Sequence, residues 1–146
     1  MEVISDKVPM MLSNYEMHGL LTTYSAEMKT GKHKTGQRDQ NLSTITYEVL
    51  KYLEGTPCIN QNEQCIKDAC LALAPYNLSK AEKLQIMNLR PTTPVEISLI
   101  VEENEERISE EQIDEILEIV KKLPPGPGSE DKENEVEEIE EEAGNE

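Results

Sequence analysis

Apolar residues recur along most of this chain at helical rather than strand spacing. Met17, Leu20, Leu21, Tyr24 and Met28 fall at three- and four-residue intervals and define one face of an amphipathic helix. Ser13-Asn14-Tyr15-Glu16 opens it as a capping box, with Leu12 and Met17 placed to staple the entry, and Gly31 is a natural stop. Residues 44–54 return to helix, with Ile45, Val49, Tyr52 and Leu53 on one face, and Gly55 and Pro57 end it. Asn60 or Asn62 caps a third helix with the stripe Ile66, Ala69, Cys70, Leu73, which Pro75 ends.

Three more boxes follow. Ser79-Lys80-Ala81-Glu82 opens a helix to about Leu89. Thr93-Pro94-Val95-Glu96 opens another, with Pro94 at the first helical position, where a missing N–H costs nothing. Ser109-Glu110-Glu111-Gln112 opens the last, with the stripe Ile113, Ile116, Leu117, Val120, and Pro124-Pro125 ends it. The pattern predicts an all-α, multi-helix bundle of about six helices over residues 12–123. Residues 1–11 carry no helix signal and read as an extended segment. Residues 30–43 lack periodicity and read as a mobile loop. Residues 124–146 are low in complexity and are expected to be a disordered acidic tail, because so few apolar groups cannot offset the entropy of ordering them.

Composition supports this. The chain has five Tyr and no Phe or Trp, so a core must come from aliphatic residues, which suits helix packing better than a sandwich. Such a core is thin, and an obligate partner would help it. The net charge of −16 lies wholly in the last third. Residues 96–123 carry ten acids against three bases, and residues 124–146 carry ten against one. That distribution argues against phosphate binding by the C-terminal half. Glu2, Asp6 and Lys7 interrupt any leader-like apolar run, and no run approaches the roughly 18 residues of a membrane span. No direct membrane binding is expected, and the three cysteines are expected to be reduced.

Enzyme chemistry has little to work with. His18 and His33 are the only histidines, one beside the first apolar stripe and one in the polar loop. Cys58, Cys65 and Cys70 lack zinc-site pairing, and Cys70 is expected to serve as a small core residue. No phosphate loop, nucleophile elbow or metalloprotease motif occurs. The expectation is a non-enzyme with no cofactor and no metal. Lys29, Lys32, Lys34 and Arg38 form a small basic patch. Lys32, Lys34 and Arg38 are candidate nucleic-acid contacts, although no aromatic lies among them to stack a base and a solvated linker explains them as well.

Three stretches in order carry a family likeness. The first is Leu12-Ser13-Asn14-Tyr15-Glu16. The second is Leu42-Ser43-Thr44-Ile45-Thr46-Tyr47-Glu48-Val49-Leu50-Lys51-Tyr52-Leu53, then Thr56-Pro57-Cys58. The third runs from Leu78-Ser79-Lys80-Ala81-Glu82-Lys83-Leu84-Gln85 through Asn88-Leu89-Arg90-Pro91, Val95-Glu96-Ile97 and Val101-Glu102-Glu103 to Glu105-Glu106-Arg107. Over roughly residues 10–123 the chain resembles the small stalk subunits of RNA polymerase III, a family also called calcitonin gene-related peptide receptor component protein. The resemblance implies a helical fold with an HRDC-like bundle in the C-terminal half, about 62–123. It implies a heterodimer with the larger, OB-fold stalk subunit, contacts with the polymerase core and initiation factors, and support of initiation at small RNA genes. Nucleic acid would be met at most indirectly, since the OB-fold partner is the main RNA binder. Location would be nuclear, with some cytoplasmic pool. The alternative it implies is a peripheral adaptor coupling a calcitonin gene-related peptide receptor to G-protein signalling.

Within that frame the N-terminal third is the expected partner surface. Its candidate residues are Val3, Ile4, Leu12, Tyr15, Met17, Leu20, Leu21 and Tyr24, joined by Ile45, Val49 and Tyr52 of the second helix.

Overall fold

A computed structural model describes residues 10–30 and 37–128, with residues 37–39 as backbone only. The expected extended segment, apart from its last residues, and the acidic tail beyond Gly128 lie outside the described residues. What is described is helical throughout, without a strand. The helices are α1 Asn14–Lys29, α2 Gln37–Leu53, α3 Glu63–Leu73, α4 Lys80–Leu89, α5 Pro94–Ile100, α6 Asn104–Arg107 and α7 Glu110–Lys121, with a 3₁₀ turn at Pro57–Asn60 between α2 and α3.

Local chemistry sets most of the starts. Ser13, Ser79, Thr93 and Ser109 each accept the backbone N–H three residues on, and Glu16, Glu82, Glu96 and Gln112 each reach back to the cap's own N–H. Asn62 caps α3 in the same way, with the Cys65 thiol in the returning position. Arg90 ends α4 in the left-handed region, at φ 49°, where glycine is usual. It is held there by its own side chain, whose Nε donates to Leu123 O at 2.7 Å, and by the buried Pro91 that follows.

The core belongs to the second half. Helices α3, α4, α5 and α7 pack on one another around Leu73, Ile86, Ile97 and Ile116, all fully buried. The α7 stripe Ile113, Ile116, Leu117, Val120 is buried entirely, as its spacing requires. Helices α1 and α2 pack on each other, and α1 also meets the 3₁₀ turn. No residue within α1 is fully buried. The two halves are tied at few points. Asn14 N–H donates to Asn88 Oδ1 at 2.9 Å, Gln61 Nε2 to Met87 O at 3.0 Å, and Tyr15 rests on the core. After α7 the chain turns back over the 3₁₀ turn, where Asn60 Nδ2 donates to Pro125 O at 2.7 Å. Gly126 suits this close approach, since a Cβ would stand 3.2 Å from Pro57 N and crowd the turn.

Three expectations need correction. The loop assigned to 30–43 is shorter, because α2 already begins at Gln37. Gln, Arg and Leu are adequate helix formers, and periodicity is blind to a polar first turn. The structure also adds α6, a single turn entered through Glu103 at φ 51°, and the 3₁₀ turn. Cys70 is exposed, and the buried thiol is Cys58 in the 3₁₀ turn. Cys70 sits at the edge of the α3 stripe, whereas Cys58 is carried inward by a turn wedged between α1 and α4. On α2, Ile45 and Tyr52 of the expected partner surface are exposed. The buried face of α2 is Thr46 and Leu53, with Val49 and Leu50 half-buried, while Ile45 and Tyr52 stand at its flank.

Candidate partner interface

Exposed apolar side chains stand on α1 and α2 as well as on the bundle, where Leu71 is 74 % exposed and Leu99 83 %. Leu20 is 58 % exposed, Ile45 60 % and Tyr52 71 %, with Tyr47, Leu42, Met10, Met11 and Leu12 also exposed. Scattered apolar residues on a surface mean little by themselves, and those beside the α1–α2 groove are the candidate contact. A groove of about 750 Å³ runs between α1 and α2, walled by Tyr15, Leu20, Leu21 and Tyr24 on one side and Leu42 and Thr46 on the other. A second groove of about 530 Å³ adjoins it, between Tyr24, Met28 and Lys29 of α1 and Gln40, Ser43, Thr44 and Thr46 of α2.

Four expected residues therefore share the first groove: Tyr15, Leu20, Leu21 and Tyr24. Met17 and Val49 are half-buried, while Leu12, Ile45 and Tyr52 are exposed outside its walls. Val3, Ile4, Lys32 and Lys34 lie outside the described residues, as does the side chain of Arg38. Leu42 and Thr46 escaped the sequence reading. Thr46 gave no signal because a threonine between Ile45 and Tyr47 looks like an outward residue. His18 is half-exposed in the groove wall beside Gly19.

The chemistry elsewhere is structural. Glu82 is 9 % exposed and pairs with Arg107 through both oxygens, at 2.7 and 2.8 Å. Arg107 also donates to Glu102 O and Asn77 O, so one guanidinium gathers α4, α6 and the turn before α4. The Arg107 fork is the chief reason the Glu82 carboxyl is held at about 2; burial opposes it, and N–H groups of Ser79 and Glu102 add to it. Glu96 is also pulled below its ordinary value, mainly by the Thr92 N–H. Burial raises the Cys70 thiol, assisted by the Glu16 charge. Among the described residues no group of three or more His, Cys, Asp and Glu is placed to hold a metal ion, and no helix is long and apolar enough to cross a membrane.

Residues 11–124 match the family described as RNA polymerase Rpb4, a span that takes in every helix above. The chain belongs to the RNA polymerase Rpb4 family. Three relatives carry the name DNA-directed RNA polymerase III subunit rpc9. The chain is 35 % identical over 80 residues to that of Schizosaccharomyces pombe, covering 54 % of this chain and 62 % of the relative. It is 27 % identical over 120 residues to that of Dictyostelium discoideum, covering 77 % and 85 %. It is 39 % identical over 105 residues to that of Saccharomyces cerevisiae, covering 72 % and 65 %. The matched region thus spans a little under two thirds of each yeast relative and most of the Dictyostelium one. In this Rpb4-family chain the matched span takes in both the α1–α2 pair and the bundle around Ile116.

Proposed function

We propose that this chain is a non-catalytic subunit of DNA-directed RNA polymerase III. It pairs with the larger, OB-fold stalk subunit and supports initiation at small RNA genes in the nucleus. The family match over residues 11–124, with relatives named as a polymerase III subunit, carries this reading. The apolar face of α1 and α2 supports it physically, because a lone chain gains nothing by exposing those side chains to water. The bundle 62–123 is the HRDC-like part. It keeps α1 and α2 in place and presents an acidic exterior to the polymerase core and initiation factors. Contact of Lys32, Lys34 and Arg38 with nucleic acid is secondary to the protein contact. No observation favours the receptor-adaptor alternative.

Co-expression with the OB-fold stalk subunit, followed by size exclusion at micromolar concentration, tests the proposal. One peak containing both chains is expected. Separate elution would end it.

A further inference from the structure

Two aliphatic side chains on α5 stand away from the core that holds the helix. Ile97 and Val101 face that core and are buried. Val95 and Leu99 are neighbours on the opposite side and are both exposed. Among the described residues Leu99 is the most exposed of the larger apolar side chains. Such a pair means little alone. Its border sets it apart. Ser98 Oγ, beside Leu99, accepts from Asn104 Nδ2 at 2.8 Å, which draws the turn after α5 against the helix. That turn carries Glu102 and Glu103, and α6 carries Glu105 and Glu106, all four exposed. From Pro94 to Glu111 the chain has seven glutamates and one base, Arg107. The Arg107 fork is committed to Glu82, so it offsets little of the charge of its neighbours Glu102 and Glu103. The turn is also fixed. Glu102 N–H donates to Glu82 Oε1 at 3.3 Å, and Glu102 O accepts from Arg107 at 2.8 Å. Four carboxylates are therefore held beside two bare aliphatic side chains.

We propose that the α5–α6 corner docks a basic amphipathic segment of another protein. Its aliphatic side chains cover Val95 and Leu99, and its lysines or arginines meet Glu102, Glu103, Glu105 and Glu106. Charge decides the occupant. Nucleic acid and anionic lipid are repelled. The chain's own ends do not fit, because residues 1–9 carry two acids and one base, and residues 124–146 carry ten acids and one base. A second copy brings the same net charge of −16. A basic segment gains from both parts of the surface, and the same carboxylates reject apolar segments that carry negative charge. The proposal goes beyond the polymerase III reading and stands without it.

The probe is a synthetic helical peptide with leucines on one face and lysines on the other, titrated into the full chain and followed by methyl resonances. Val95 and Leu99 are expected to shift more than Leu20, Leu21, Leu42 or Leu71. Exchanging the peptide's lysines for glutamates, or its leucines for serines, should remove those shifts. Glu105→Gln with Glu106→Gln should weaken binding about fivefold at low salt and flatten its salt dependence. Glu48→Gln with Glu54→Gln on α2 removes the same charge and should change binding by less than about twofold. Leu99→Gln should weaken binding about fivefold and leave the salt dependence in place. All these positions are exposed, so unfolding midpoints should stay unchanged. Equal losses from the two glutamate pairs would reduce the effect to net charge and overturn the proposal. Shifts centred on the α1–α2 groove would overturn it too. Val95 and Leu99 shifts that follow protein concentration without peptide would seat a second copy at the corner. Shifts on deleting residues 1–9 would seat the chain's own N-terminus. Either result overturns the assignment to another protein.

Discussion

Glu82 and Arg107 meet as a two-pronged ion pair, Oε1 to Nη1 at 2.7 Å and Oε2 to Nη2 at 2.8 Å. The same carboxylate closes the α4 capping box on the Ser79 N–H at 2.6 Å. One side chain therefore starts a helix and locks a turn 25 residues away. Glu82→Ala removes both roles and is expected to cost about 2 kcal/mol in urea unfolding. Glu82→Gln can still close the box and should lose less. Arg107→Lys keeps the charge but not the planar fork, and should lower the unfolding midpoint.

The same pair predicts an acid limb. The Glu82 carboxyl lies at about 2 when folded, against 4.5 for the free side chain. A depressed acid group contributes stability that is fully present above the unfolded value and is lost as protons are taken up towards the folded one. Thermal stability should therefore fall as pH drops from about 4.5 to about 2, and Glu96 shifts in the same sense. The Glu82→Gln chain should show a shallower decline over that range. An unchanged slope would mean that other carboxyls carry the acid sensitivity.

Asn14 and Asn88 join α1 to the bundle through one hydrogen bond of 2.9 Å. Asn88→Ala should cost about 1 kcal/mol. Its clearer effect should be local, with faster amide exchange through α1 and little change in α3 and α7. Uniform acceleration across the chain would show that α1 opens only when the whole domain unfolds.

The three thiols should react in order of exposure. Cys70 is exposed, Cys65 is half-buried at the α3 cap, and Cys58 is buried. Thr56 Oγ1 donates to Cys58 Sγ at 3.1 Å, within the turn that covers it. Labelling of the native chain followed by peptide mass analysis should find Cys70 modified first and Cys58 last. The residue is exposed but its sulfur is partly covered, lying 3.6 Å from Met87 Sδ, and this partial burial raises the thiol, so its labelling should also speed up with rising pH.

What the sequence determined by itself is what neighbours determine. A cap and its return partner are three residues apart, so Ser13, Ser79, Thr93 and Ser109 announced their helices before any tertiary contact was known. The α7 stripe was legible for the same reason, since a helix repeats its face every three to four residues. The family likeness rested on such local strings too, and residues 11–124 match that family. Only the tertiary structure decided which long-range partners meet. Arg107 looked like one base among many acids until the chain folded it onto Glu82. Cys58 rather than Cys70 became the buried thiol because a turn, not a helix face, was carried inward. Thr46 became a buried hydroxyl because α1 closed over that side of α2 and left Ile45 and Tyr52 outside. Spacing fixes which side of a helix is which, but the burial of a side depends on what packs against it.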